Sequence, residues 1–176
     1  MVGASLARTL GAALIDLDIA TEPLLSVIES LLNVDDIDDP RLATLTRADR
    51  YETITRLAEE NLRVGNSVLL VAPFTEERRN LNAWEELVDR LHRAAGGAVA
   101  MIWLYLGREE LLQRMHARGA ERDESKLNKE RRFIDQLELG PPVGPHIPIH
   151  AVGSVEQIVA SIVRQLRADF ALPSTA

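Results

Sequence analysis

Asp16 and Asp18 are the first residues in the chain whose type and position suit chemistry. They close a short apolar run, residues 12–18, which is predicted to be a buried strand. Open α/β sheets bind ligands at the carboxyl ends of their strands. Two positions apart on a strand, both carboxylates would share a face, where one could serve as a general base for a nearby nucleophile. The simpler interpretation is a turn or helix-capping role.

Two neighbouring arginines, Arg78 and Arg79, follow the second predicted strand, residues 67–72. The planar guanidinium group suits two-pronged binding of a phosphate or a carboxylate. The adjacent Glu76 and Glu77 support the alternative, a solvated cluster of opposite charges.

A row of basic residues occupies every fourth position of a charged segment that is predicted to be helical. On one continuous helix they would lie along one face, but Gly119 is expected to divide the segment into two helices with a hinge. The segment also holds six acidic residues between positions 109 and 130, so a salt-bridged surface helix is the alternative. The basic residues are Arg114, Arg118, Arg122 and Lys126.

The composition excludes several classes of function. The chain has 176 residues, of which 46% are hydrophobic and 27% charged, and a net charge of −7. The negative net charge argues against nucleic acid as a partner. No apolar run approaches the roughly 20 residues that span a bilayer, so no membrane partner is expected. The absence of cysteine suits a cytoplasmic location. The four histidines lack the spacing of metal ligands, so no metal site is predicted.

Strands and helices alternate along the chain, which predicts an α/β fold with three layers, α/β/α, and a parallel sheet. Further strands are predicted at 98–106 and 149–152. Helices are predicted over 2–10, 22–32, 46–64, 82–95, 108–118 and 155–170, the second capped by Thr21. One domain is expected over residues 1–170, with an insertion near 107–137 and a disordered tail at 171–176.

In this order, four segments resemble the small P-loop kinases, a group that includes gluconate, shikimate and nucleoside kinases and proteins called AAA-type ATP-binding proteins. The segments are "LARTLGAALIDLD", "SVLLVAPFTEERR", "AMIWLYLGREELLQRMHARGAERDESKL" and "IHAVGSVEQIVASI". Such kinases begin with a strand and the loop G-x-x-x-x-G-K-[ST], which binds the phosphates of ATP and the accompanying Mg²⁺. The 176 residues contain no such motif, so the first, central strand and the loop are expected to be missing.

The resemblance implies roles for the residues singled out above. Asp18, with Asp16, would orient the acceptor hydroxyl and take its proton, and Arg78 or Arg79 would bind the substrate. The basic row would belong to a lid that closes over the transferring phosphate. Gly153 and Ser154 match a loop that lies beside the adenine, although a strand-to-helix turn capped by Ser154 explains them equally well.

Two explanations of the missing loop stay open: a start codon placed downstream of the true one, or a gene that is truly shortened. The resemblance implies an ATP-dependent phosphotransferase that acts on a hydroxyl of a small molecule, with ATP and Mg²⁺ as cofactors if the loop exists. The alternative is a catalytically silent domain that acts through protein binding or as a homo-oligomer, because an uncovered strand edge invites association.

Overall fold

The protein is described by a computed structural model, which covers residues 1–33, 40–118 and 139–170. The chain divides into two compact units, residues 1–99 and 100–176. Each unit contains one pair of parallel strands, which confirms the predicted α/β class with parallel pairing.

The first unit is built on strands β1 (Ala13–Asp16) and β2 (Val68–Val71). Ala13 lies opposite Val68 and Asp16 lies opposite Val71. The carboxyl ends of the two strands therefore meet at one edge of the sheet, which places Asp16 beside the start of the segment that carries Arg78 and Arg79.

Helices cover both faces of this strand pair. Helix α1 (Val2–Leu10) packs so closely on one face that a Cβ atom at Gly3 would come within 3.1 Å of Val71 Cγ2. The long helix α3 (Pro40–Arg63) packs against Ile15 and Leu70, which alternate along the strands with the Val71 side chain that faces α1, so α3 lies on the other face. The buried core on that side comprises Ile15, Leu17, Ile54, Ala58 and Leu91.

Helix α2 (Leu17–Leu32) starts earlier than predicted and directly follows β1. The prediction that Thr21 caps this helix was wrong, since Asp16 is the N-cap residue. Thr21 is instead buried within the helix and donates its hydroxyl hydrogen to the carbonyl oxygen of Leu17 at 2.6 Å. An aspartate at the end of a strand competes well for the cap because its carboxylate accepts hydrogen bonds from the first free N–H groups.

The rest of the first unit follows the predicted order with one addition. A short helix α4 (Thr75–Arg79) precedes α5 (Leu81–Ala95). Asn80 separates the two helices and caps α5 through its side chain. Helix α3 also begins earlier than predicted, at Pro40, and proline suits the first turn of a helix because its nitrogen needs no partner there.

The second unit contains β3 (Ile102–Tyr105), α6 (Arg108–Arg118), β4 (Ile147–His150) and α7 (Val155–Phe170). Strand β4 pairs in parallel with β3, with Tyr105 opposite His150. Helix α7 packs on β4. Its apolar face supplies half of the buried apolar residues described in this unit, which are Met101, Ile147, Ile149, Ala151, Ile158, Val159, Ile162 and Leu166.

An ion-pair network joins α3 to α5 in the first unit. Arg90 on α5 donates through Nη1 to Glu52 at 2.6 Å and through Nε to Glu59 at 2.7 Å. The Glu59 side chain is only 13% exposed. Hydrogen bonds from Arg90 lower the pKa of Glu52 to about 2, with a smaller contribution from Arg56. The network therefore holds α5 against the helix that supports the carboxyl edge of the sheet.

Arg90→Met is expected to lower the free energy of unfolding by about 2 kcal/mol near neutral pH, because it leaves Glu59 without its charged partner. The pKa of Glu52 is depressed in the folded state, so the stabilisation is present above its ordinary value and is lost as the pH falls toward about 2. Urea titrations at a series of pH values should show that the difference in free energy of unfolding between wild type and variant becomes smaller in acid. Arg56→Met is the control. It removes the exposed ion pair between Arg56 and Glu52 within α3 and should lower the free energy of unfolding by at most about 0.5 kcal/mol.

Candidate acceptor site at the carboxyl ends of β1 and β2

Asp16 is the last residue of β1 and caps α2. Its Oδ1 accepts hydrogen bonds from the backbone N–H groups of Asp18 at 3.0 Å and Ile19 at 3.3 Å. Both bonds anchor the carboxylate to the helix terminus. Of the two predicted aspartates, Asp16 therefore has the positional role that the simpler interpretation assigned to both.

Asp18 lies in the first turn of α2 and not on the strand, so strand alternation does not govern its direction. Its side chain is 83% exposed, and its Oδ1 accepts a hydrogen bond from Arg50 Nη2 at 2.6 Å. Only Oδ1 takes part in this bond. An exposed carboxylate with one oxygen anchored can accept a hydrogen bond, or a proton, from a bound hydroxyl.

Arg50 on α3 is the residue that contacts this aspartate. Its Nε donates to Thr21 Oγ1 at 2.8 Å while Nη2 contacts Asp18. Thr21 is buried and its own hydroxyl hydrogen goes to Leu17, so its oxygen is oriented to accept from Arg50. The guanidinium is thus positioned by a buried side chain, which limits the freedom of the Asp18 carboxylate.

Sequence reasoning did not single out Arg50. The residue is 32 positions from Asp18 and lies in a charge-rich helical stretch, where one arginine resembles any other. The signal that could have found it is the buried face of α3: Arg50 precedes the fully buried Ile54 by one helical turn, so it lies near the face directed at the sheet.

Arg78 and Arg79 lie on α4, which begins four residues after β2 ends. Arg78 is half-buried and Arg79 is exposed. The parallel register places this segment near Asp16, so the structure brings the two arginines to the same edge of the sheet as the two aspartates. Their role in substrate binding stays a prediction.

The predicted basic row begins on α6. Arg114 Nη2 donates to the carbonyl oxygen of Ala151 at 3.0 Å, directly after β4. One turn earlier, Glu110 Oε2 lies 2.8 Å from His150 Nε2; this contact and the N–H of Gly107 lower the pKa of Glu110. Two side chains of α6 thus anchor the helix to the end of β4. Arg118 ends α6, and Arg122 and Lys126 lie outside the described residues.

Gly153 and Ser154 form the turn between β4 and α7. Gly153 has a φ angle of +96°, and a Cβ atom there would clash with Gln157 Oε1. Ser154 and Gln157 bond reciprocally, since the N–H of Ser154 donates to Gln157 Oε1 and the N–H of Gln157 donates to Ser154 Oγ. The predicted capping role of Ser154 is present, and a role beside adenine stays a prediction.

The side chains present do not by themselves match a nucleotide site. The sequence lacks the glycine-rich loop and lysine that surround nucleotide phosphates. Within the described ranges, no three carboxylate or imidazole groups converge as metal ligands do. Nor is any helix of these ranges long and apolar enough to span a bilayer.

A family model described as an AAA domain matches residues 1–139. The chain belongs to this AAA domain family. The match covers all of the first unit, including Asp16, Asp18 and Arg50, and extends through α6. Among curated proteins, none matches the sequence.

Solved structures with kinase activity in their descriptions share the fold of this AAA domain. A protein from Chloroflexus aurantiacus J-10-fl, provisionally assigned as a kinase, is 16% identical with a TM-score of 0.63, over 95% of this chain and 88% of the other. A gluconokinase from Sinorhizobium meliloti 1021 is 19% identical with a TM-score of 0.54, over 97% and 85%. The predicted P-loop kinase-like class is therefore confirmed at the level of family and fold.

Proposed function

We propose that this AAA domain provides the acceptor side of an ATP-dependent phosphotransferase that acts on a hydroxyl of a small molecule. The observation that carries the proposal is the exposed Asp18 carboxylate, held by Arg50 at the carboxyl end of β1. In this arrangement Asp18 orients the acceptor hydroxyl and takes its proton as the oxygen becomes a nucleophile. The kinase descriptions of two structural neighbours support the reaction class.

The remaining candidate residues complete the proposal. Arg78 and Arg79 bind anionic groups of the acceptor near the end of β2. The basic row that begins at Arg114 neutralises the transferring phosphate, and Gly153 and Ser154 lie beside the base of the nucleotide. MgATP would in addition require a phosphate-binding loop, and these 176 residues contain no such motif.

The 176-residue chain is expected to bind MgATP weakly or not at all, because no backbone loop surrounds the phosphates. Isothermal calorimetry with MgATP tests this directly, and micromolar affinity would overturn it. The DNA upstream of the Met1 codon provides the companion observation. An in-frame strand followed by G-x-x-x-x-G-K-[ST] supports the kinase proposal, and phosphoryl transfer by that longer product would be its direct demonstration.

A second candidate function is a catalytically silent domain that acts by binding a protein, including a second copy of itself. The lack of the phosphate-binding motif favours this candidate. So does the unpaired edge of β2, which pairs with β1 alone in the part of the chain that the structure describes. Unpaired edges accept strands from other chains. An in-frame stop codon directly before Met1, together with dimers in sedimentation velocity, would favour this candidate over the first.

A further inference from the structure

Helix α2 is apolar on two of its faces. Leu17, Thr21 and Leu25 are buried, and Thr21 on this face binds Arg50 of α3. A surface helix of a globular protein ordinarily turns one apolar stripe to the core and a polar face to water. A second apolar surface of α2 is exposed to solvent, and we call it the α2 stripe. Its members are Ile19 (65% exposed), Pro23, Leu24 (70%), Val27 (56%) and Leu31 (75%).

The α2 stripe has the spacing of a docking surface. Leu24, Val27 and Leu31 stand at positions i, i+3 and i+7, which are neighbours on the surface of a helix. Anchors at this spacing are the means by which an amphipathic helix binds an apolar partner surface. Among the described side chains, no other helix carries more than two large apolar residues that are exposed. The stripe is therefore a local concentration, whereas single exposed apolar residues are ordinary.

The stripe lies in an acidic part of the chain. Residues 9–40 contain no basic residue. Helix α2 thus has none in its last turn, so no side chain of that turn offsets the partial negative charge of the last carbonyl groups. The first unit, residues 1–99, holds 17 acidic and 10 basic residues, a net charge of −7 that equals that of the whole chain. The acidic residues of 9–40 are Asp16, Asp18, Glu22, Glu29, Asp35, Asp36, Asp38 and Asp39.

Two glutamates form an acidic flank beside the stripe. Glu22 and Glu29 are seven positions apart, which is about two helical turns, so they lie on the same side of α2. Asp18, one turn before Glu22, is paired with Arg50. Neither glutamate forms an ion pair with a described residue. Helix α2 therefore presents apolar contacts and uncompensated negative charge next to each other.

This combination decides between the occupants that an apolar face could have. A second copy would place the same acidic flank against itself, and a stable dimer needs roughly 20–30 residues from each partner, more than one stripe supplies. A membrane surface that carries anionic lipids would be repelled by the same charges. A basic amphipathic helix satisfies both features, because its apolar side chains cover the stripe while its lysine or arginine side chains meet the glutamates.

We propose that the α2 stripe is a docking surface for a basic amphipathic helix of another protein. Leu24, Val27 and Leu31 bind the apolar side chains of that helix, and Glu22 and Glu29 select for basic residues along its flank. This inference goes beyond the proposed phosphotransfer and does not depend on it. It also places the contact with a partner on α2 and not at the unpaired edge of β2.

Three synthetic peptides of about 18 residues, long enough to form a helix, test the proposal. The first has leucines at positions i, i+3, i+4 and i+7, flanked by lysines; the second replaces every lysine by glutamate, and the third replaces every leucine by glutamine. Their affinities for the 176-residue chain are measured by ¹H–¹⁵N correlation spectra at physiological ionic strength. The first peptide is expected to bind at least about tenfold more tightly than either of the others, with the shifted amide signals concentrated in residues 17–32.

Variants of α2 assign the contacts. Leu24→Gln combined with Leu31→Gln should weaken the first peptide at least about tenfold. Glu22→Gln combined with Glu29→Gln should reduce the preference for the lysine peptide over the glutamate peptide. The leucine replacements are at exposed positions and glutamine is a good helix former, so the urea midpoint of the protein should not fall.

Matched pairs elsewhere in the first unit are the controls. Leu57→Gln combined with Leu81→Gln removes two exposed leucines of α3 and α5. Glu85→Gln combined with Glu86→Gln removes two exposed charges of α5. Both pairs should leave the affinity for the first peptide unchanged, because none of these residues belongs to the stripe or to its acidic flank.

Several results would overturn the proposal, and the first two require no variant. They are equal binding of the lysine and glutamate peptides, and no binding of the lysine peptide. Loss of affinity in the control pairs, or shifts centred outside residues 17–32, would place the contact elsewhere. Dimers in sedimentation velocity that Leu31→Gln dissociates would assign the stripe to a second copy. The assay contains no nucleotide, so its outcome is separate from that of phosphoryl transfer.

Discussion

Asp18→Asn is expected to reduce phosphoryl transfer by at least about 100-fold in any form of the protein that carries a phosphate-binding loop, with a smaller change in acceptor affinity. The amide keeps the shape of the carboxylate and one acceptor oxygen, but it cannot take the proton of the hydroxyl, and proton transfer by a positioned side chain contributes about 10²- to 10⁴-fold. Steady-state rates with MgATP and a saturating hydroxylated acceptor measure the effect. Asp49→Asn, an exposed acid on α3, is the control for the loss of one charge.

The same experiment tests the part played by Arg50. If Arg50 acts by positioning Asp18, then Arg50→Gln lowers the rate in the wild type and has little further effect in Asp18→Asn, since the two residues act as one unit. A Asp18→Asn variant that keeps a rate within about threefold of the wild type would remove Asp18 from the chemistry. Strictly additive losses would instead assign Arg50 a contact of its own with the substrate.

The sequence allowed the elements and their order to be predicted because each strand is a short apolar run with glycine, proline or acidic residues nearby. Parallel pairing followed from the alternation of strands with helices. The boundary between β1 and α2 could not be predicted in the same way. Residues 12–18 read as one apolar strand, but the Asp16 carboxylate ends it by capping the next helix, a local competition that hydrophobic period does not reveal.

Sequence reasoning identified the candidate-site residues that are marked by their immediate neighbours in the chain. It missed those whose place in the site depends on contacts between distant segments. Asp16 and Asp18 were visible because they terminate an apolar run, whereas Arg50 and Tyr51 belong to a helix whose contacts depend on how it lies on the sheet. The bond from Phe74 N–H to the Tyr51 hydroxyl joins residues 23 positions apart. The turn at Phe74, whose φ of 44° and ψ of 45° are left-handed, also lies in "APFTEERR", where an aromatic residue in this conformation has no sequence signature.

Helix α3 carries Arg50, which contacts Asp18, and Tyr51, which contacts Phe74, so the packing beneath this helix should control the site. Ile54 is 0% exposed and follows Arg50 and Tyr51 by four and three positions, which places it below them on one face of α3. It contacts the core formed by β1 and α5 residues such as Ile15 and Leu91. The position of Arg50 against Asp18 therefore depends on how well Ile54 fills that core.

Ile54→Ala is expected to lower the free energy of unfolding by about 3 kcal/mol, because it removes buried apolar surface and leaves a cavity that the core fills only in part. Ile54→Val should cost about 1 kcal/mol. Leu57→Ala on the same helix, at a side chain that is 42% exposed, should stay within about 0.5 kcal/mol. Urea denaturation followed by circular dichroism gives all three values. Equal losses for Ile54→Ala and Leu57→Ala would contradict the packing of α3 on the strand pair, and with it the placement of Arg50 and Tyr51 at the carboxyl edge.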